Sequence, residues 1–335
     1  MWRPFRDGDD HRRPLRTPHR ERATGRRPRV RSVRTWAGVY AKGLAMGLAD
    51  LVPGVSGGTI AFISGIYDEL VATIAGLDRR LLGALREGGV RGAWQAGNFG
   101  FLAVLLAGIG TSVFAFAGPL HWLLANRPVE LWAFFFGLVA ASVPLVGRRV
   151  TDRRAGIWTL AAAGAVVAAV VTSLPPLVRS DAPLFLAAAA AVAACAMILP
   201  GISGSFILLI LGAYAPVIAA LNDLDAARIA AVGLGVVTGL LACSRGLRRL
   251  LARHRKPTLA VLTGFLLGSL NALWPWKAQL RELYTHSDGR IEWFVANRWP
   301  DGAGEIWPAA TLALLGAAAV LAIDRMAGGR GADRP

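Results

Sequence analysis

The chain has 335 residues, of which 54% are hydrophobic and only 17% charged, yet its formal net charge is +16. A soluble protein needs roughly a quarter of its residues charged, so the composition excludes an ordinary soluble enzyme and equally excludes bulk disorder. What remains is a polytopic membrane protein, with apolar stretches near or above the ~18–20 residues of one crossing.

Residues 1–35 hold twelve Arg against Asp7, Asp9, Asp10 and Glu21, a net of +8, with Pro at 4, 14, 18 and 28. Without apolar periodicity, this run reads as a disordered, Arg-rich cytoplasmic arm. Arg12-Arg13 and Arg26-Arg27 invite comparison with an export signal, but Lys42 and Asp50 interrupt the next apolar stretch and no small-residue cleavage site follows. The expected partner of the arm is anionic lipid headgroups, not nucleic acid.

The apolar segments then run 36–50, 51–77, 99–125, 131–147, 156–178, 183–199, 200–221, 228–250, 257–276 and 307–323. Between them, 78–97 nets +2, 148–155 nets +3 and 245–256 nets +6, whereas 126–130 and 179–182 are neutral and 222–228 and 277–306 each net −1. Cytoplasmic loops carry the excess Lys and Arg. All basic loops fall on one side if 36–77 and 183–221 are hairpins that enter and leave the same face and the other six segments cross. Both termini are then cytoplasmic, and 277–306 with Trp274, Trp276, Trp293, Trp299 and Trp307 lies outside as an aromatic belt. Two full crossings per hairpin give the same sidedness; the short arms before each break favour re-entrant hairpins.

The two halves are copies. Asp50-Leu-Val-Pro-Gly-Val-Ser-Gly-Gly-Thr59 aligns with Met197-Ile-Leu-Pro-Gly-Ile-Ser-Gly-Ser-Phe206 through Pro53 and Pro200, and Gly65-Ile-Tyr67 with Gly212-Ala-Tyr214. Gly108, Thr111, Leu120, Gly137 and Ser142 recur as Gly235, Thr238, Leu247, Gly264 and Ser269. The expected architecture is an all-α polytopic membrane protein of two inverted repeats, each a re-entrant helical hairpin plus two transmembrane helices. Repeat 1 spans 36–155, a linking helix 156–178, repeat 2 179–276, an extracytoplasmic segment 277–306, and a last helix with a cytoplasmic tail 307–335. Broken helices in inverted repeats are a recurrent transporter plan.

Non-helical backbone at membrane depth survives only where it is buried in protein or lines a cavity. Pro53-Gly54 and Pro200-Gly201 break the helices, Ser56 and Ser203 are suited to cap the half-helices that follow, and Gly57, Gly58 and Gly204 leave amides open. Two opposed helix amino termini rimmed by Ser56, Thr59, Ser203 and Ser205 suit a phosphate or similar oxyanion. Tight helix crossing alone would explain small residues, but not a doubled proline break. Asp50, near the tip, is a candidate proton carrier or a helix cap. Lys42 and Arg245 are candidates for a charge role, with snorkelling and a topology signal as the plainer explanations. No metal-ligand set, paired Cys, P-loop or catalytic carboxylate pair is expected, and no cofactor beyond coupling to a proton gradient.

Lys42-Gly43-x-x-Met46-Gly-x-x-Asp50-x-x-Pro-Gly-Val-Ser-Gly-Gly-Thr59, Gly65-Ile-Tyr67, Leu199-Pro-Gly-Ile-Ser-Gly-Ser-Phe206 and Gly268-Ser269-Leu-x-x-Leu-Trp-Pro-Trp276 together resemble the polyprenyl-phosphate transporter family. The resemblance covers about residues 42–276. It implies a bacterial inner-membrane protein that is not an enzyme. Such a protein flips undecaprenyl phosphate from the outer to the cytoplasmic leaflet for reuse in cell-envelope synthesis, with the phosphate at residues 53–59 and 200–206. One alternative is an undecaprenyl-pyrophosphate phosphatase, whose similar motif places arginine where Gly57 and Gly204 stand; without that cation hydrolysis loses its main electrostatic support. The other alternative is a small-anion transporter.

Overall fold

The computed structural model describes residues 32–52, 55–148, 150, 154–174, 180–285 and 291–328; the arm through residue 31, Pro53, Gly54 and the tail after 328 lie outside the described residues. The helices are α1 (Val33–Asp50), α2 (Gly57–Ile63), α3 (Tyr67–Ala75), α4 (Arg79–Ala96), α5 (Phe99–Asn126), α6 (Pro128–Gly147) and α7 (Ala155–Val171). They continue with α8 (Pro183–Ile198), α9 (Gly204–Ile210), α10 (Tyr214–Asn222), α11 (Ala226–Arg253), α12 (Arg255–Ser269) and α13 (Ala303–Gly328). Among the described residues four helices, α5, α6, α11 and α13, are long and apolar enough to cross a membrane, and six spans result if each bent pair counts as one. The protein is a mostly helical, polytopic membrane protein.

It is not all-α. β1 (Lys277–Thr285) and β2 (Ile291–Asn297) pair antiparallel within the segment expected to lie outside the membrane, for which no strand is anticipated. Ile291, Trp293, Phe294 and Val295 are strand-favouring side chains, and a period of two in a short charged stretch is easily passed over. The basic stretch 78–97 is likewise helical, kinked at Gly89 with φ +59°. Its exposed Leu82, Leu85, Val90 and Trp94 interleave with Arg86 and Arg91, the composition of a helix lying in a membrane surface. At the amino terminus Ser32 caps α1 by accepting from the Thr35 amide, so Val33–Thr35 belong to the helix and not to the arm. α12 stops at Ser269, and turns carry the chain to Trp276 where the sequence suggests helix to the end.

Each hairpin turns sharply: α2 and α3 meet at 119°, α9 and α10 at 105°. The residues between them include the repeat partners Gly65 (φ +76°) and Gly212 (φ +69°), a left-handed conformation that explains glycine in both copies.

Four helix pairs pack along one another: α1 with α5, α8 with α11, α6 with α13 and α7 with α12. Glycines let the backbones approach where lipid supplies no hydrophobic drive between helices. Gly108 sits on the Tyr40 carbonyl and its partner Gly235 on that of Ala187; Gly137 sits on the Ala313 carbonyl and its partner Gly264 on that of Ala161. Gly316 meets the Phe134 carbonyl as Gly164 meets that of Val261. The contacts of α7 are therefore those of α13, transposed. α7 follows α6 in sequence but packs on α12, while α13 follows α12 but packs on α6, so each half lends its last helix to the other. The core wraps the first hairpin, where Ile60, Phe62, Ile63 and Tyr67 are buried with Phe101, Leu105, Leu138 and Leu266.

Candidate functional site: the junction of two broken helices

At the first tip, α1 ends at Asp50 and α2 begins at Gly57, and the amides opening α2 already have acceptors. Gly57 donates to Asp50 Oδ1 at 2.6 Å, Gly58 to Ser56 Oγ at 3.1 Å and Thr59 to the Ser56 carbonyl at 2.9 Å. Asp50 and Ser56 thus divide the capping of one half-helix, an anion and a hydroxyl at its positive end. A Cβ on Gly57 would collide with the Asp50 carboxylate.

The second tip is built differently. α8 ends at Ile198, Pro200 and Gly201 turn the chain (Gly201 φ +89°), and α9 begins at Gly204. Ser203 occupies the cap position without capping; its hydroxyl pairs with that of Ser205 at 2.9 Å. Met197 stands where the first copy has Asp50. Among the described residues no hydrogen bond is made by the Gly204 or Ser205 amide; Gly204 is buried and Ser205 exposed. The repeat therefore yields one tip filled from within and one tip open.

The tips touch. The Gly201 amide donates to Thr59 Oγ1 at 2.8 Å. Tyr67 donates to the Ile198 carbonyl at 3.0 Å, and Ser56 reaches the Met197 carbonyl at 3.5 Å. These carbonyls are the orphans that a helix leaves at its carboxyl end, and hydroxyls from the other half satisfy them. Gly58 lies against both, where a Cβ would stand 2.8 Å from Met197 O and 3.0 Å from Ile198 O. Ser56 and Thr59, expected to rim a ligand, thus spend their hydroxyls on the junction. Tyr67 packs edge-on to Phe62 (centroids 4.8 Å apart) and also closes the junction. Its place in Gly65-Ile-Tyr67 was the available signal. Tyr67→Phe leaves a buried carbonyl unpaired and is expected to cost about 1–3 kcal/mol, read as a lower melting temperature in detergent.

The charged candidates separate. Asp50 is at the tip. Lys42 donates to the Ser64 carbonyl at 2.7 Å, at the opposite end of α2, where a cation complements the helix dipole. Arg245 donates to the Leu77 carbonyl at 2.9 Å and ties α11 to the end of the first hairpin. The nearby Asp68 pairs with Arg255 at 2.9 Å on an exposed face.

Residues 46–291 match the model of the VCA0040-like family, described as undecaprenyl phosphate translocase-like. The chain belongs to that family. A relative from Vibrio cholerae serotype O1 is 44% identical over 243 residues, covering 72% of this chain and 78% of its own length. A second, from Staphylococcus aureus, is 32% identical over 255 residues, 70% of this chain and 84% of its own. Both carry the name polyprenyl-phosphate transporter. No solved structure matches the chain. The matched span takes in both tips, β1 and every paired helix except α13 and the part of α1 before Met46, so the junction lies in the family's region of the chain.

Proposed function

We propose that this protein translocates polyprenyl phosphate across the bacterial cytoplasmic membrane, from the outer to the inner leaflet, for reuse of the lipid carrier in cell-envelope synthesis. The two halves are inverted repeats, their hairpins re-entrant from opposite faces, with both termini cytoplasmic. The phosphate is held at the tips, within Pro53, Gly54, Ser56, Gly57, Gly58, Thr59, Pro200, Gly201, Ser203, Gly204 and Ser205, while the isoprenoid tail stays in lipid between helices. The observation that carries this reading is the Thr59–Gly201 contact, which joins two broken-helix tips in a family whose named relatives carry polyprenyl phosphate.

Within that set the tips divide the work. The open amides of Gly204 and Ser205 with the Ser203–Ser205 hydroxyl pair receive the phosphate, and Asp50, an anion of the protein's own, occupies the first tip. Like charges at close range in a partly dry site repel, so protonation of Asp50 favours the loaded state and its ionisation favours release. That is a direct route to coupling with a proton gradient, and Lys42 and Arg245 brace the hairpin that carries it. Asp50→Asn keeps an acceptor for the Gly57 amide and removes the charge. It is expected to tighten polyprenyl phosphate binding about tenfold and to flatten the pH dependence of transfer.

The deciding experiment is leaflet-to-leaflet transfer of labelled polyprenyl phosphate by purified protein in liposomes. Transfer above that of empty liposomes, with no inorganic phosphate released from polyprenyl pyrophosphate, is the expected result. Phosphate release would replace the transporter with an enzyme, and transport of inorganic phosphate alone would replace it with a small-anion transporter.

A further inference from the structure

A cation-bearing site stands apart from the tips, in the β-hairpin that follows α12. Lys277 opens β1 and pairs in register with Asn297 at the end of β2. Its Nζ donates to Asn297 Oδ1 at 3.1 Å and sits 5.5 Å from the centre of the Trp132 ring on α6. Asn297 is itself fixed, donating at 2.9 Å to the carbonyl and side-chain oxygens of Asn271, which in turn donates to Ser173 at 2.9 Å past the end of α7. The ammonium is thus positioned by two anchored partners, both uncharged.

The acids at the start of α6 and α13 are engaged elsewhere. Asp301 and Glu305, ahead of and within α13, bind Arg298 at 3.0 and 2.9 Å. Glu130 at the start of α6 binds Arg127 at 3.2 Å. Glu282, on the same strand, is exposed. Among the described residues Lys277 is therefore a half-buried cation paired with no carboxylate, a costly arrangement unless an anion arrives.

Its surroundings indicate which anion. Trp274, Trp276 and Trp299 form a linked aromatic cluster, with Trp274 5.4 Å from each of the other two. Trp299 is largely exposed, as is Trp307 near the start of α13. Such a belt marks headgroup depth at a membrane surface. The buried Trp276 indole N–H has no partner, a second donor left open in the same cluster. The chain leading here comes straight from the second tip: a Cβ on Gly201 would meet Phe265 O at 2.7 Å and Ser269 Oγ at 3.0 Å, and eight residues after Ser269 stands Lys277.

We infer that Lys277 is a capture site on the extracytoplasmic face for a phosphate monoester, held by its ammonium at headgroup depth before that group moves along the end of α12 to the tips. The inference rests on the transport reading above for the direction of movement, but the binding event does not require transfer. Burial draws the Lys277 ammonium down to about 8, so the charged form prevails below that pH and is lost above it. Capture is accordingly strongest below pH 8.

The test is equilibrium binding of a radiolabelled short-chain polyprenyl phosphate to the full-length protein in phosphatidylcholine nanodiscs, alongside transfer in liposomes. Lys277→Gln is expected to weaken binding about tenfold, the scale of a lost charge-assisted hydrogen bond. Lys277→Arg is expected to keep the affinity and abolish its fall above pH 8. Competition by inorganic phosphate would show that the phosphate alone is recognised; its failure to compete, with the lipid still bound, would show that the headgroup must be presented by a membrane. Unchanged affinity in Lys277→Gln, or an Arg variant with the wild-type pH profile, overturns the inference. Wild-type binding without transfer would instead count against the transport reading and leave the capture site standing.

Discussion

Gly201→Val is expected to abolish polyprenyl phosphate transfer and to lower the melting temperature by roughly 10 °C or more. Three effects add. A β-branched residue at φ +89° is strained by about 1–2 kcal/mol. Its Cβ would press on Phe265 O and Ser269 Oγ at 2.7 and 3.0 Å, and overpacking of that kind costs about 1–3 kcal/mol. Any backbone shift that relieves the clash pulls the Gly201 amide from Thr59 Oγ1 and opens the junction. Thr59→Val separates the last effect from the others. It keeps the shape, removes the acceptor, and is expected to cost about 1–3 kcal/mol through an unpaired buried amide. Paired melting and liposome transfer measurements decide the matter. A Gly201→Val protein with wild-type stability and transfer would mean that the tips need not touch.

The second large effect is expected at the exchanged helices. Gly264→Leu drives a side chain into the Ala161 carbonyl, and Gly137→Leu drives one into that of Ala313. No rotamer avoids a collision that begins at Cβ, so α12 must part from α7, or α6 from α13. Both variants should lose several kcal/mol and accumulate poorly in the membrane, and the losses should be similar because the two seams are equivalent. Gly110→Ala, at a glycine with open space around it, is the control expected to behave as wild type. Sharply unequal losses at 137 and 264 would break the equivalence of α7 and α13.

That equivalence was the part of the fold least legible beforehand. Prolines 53 and 200 announce the breaks; the glycine pair 65/212 keeps its spacing because both turns need a left-handed φ, and the pairs 108/235 and 137/264 because each meets a backbone that admits no side chain. Ala161 and Gly164 correspond to Ala313 and Gly316 just as well, but small residues crowd both segments, so the match carries little information as text. It becomes visible only when both glycines are seen against helix backbones, at the Val261 and Phe134 carbonyls. The junction was half legible for a related reason. Sequence marks Ser56 and Thr59 as polar groups near a break, yet their partners, Met197 and Gly201, lie more than 140 residues away and are chosen by tertiary approach. The β-hairpin is hard to read in the sequence because charged residues interrupt both strands, so hydropathy does not single them out.

The transposed packing of α7 and α13 bears on how the chain is made. Synthesis proceeds from the amino terminus, so α6 enters the membrane with its Gly137 seam facing lipid and waits for a helix that lies near the end of the chain. α7, by contrast, waits only for α12. The first half is therefore an unfinished object for almost the whole of translation, and a ribosome that stops before residue 303 leaves it so. A chain truncated there would keep the Gly137 seam of α6 unclasped, which makes α13 the fastener of the first half.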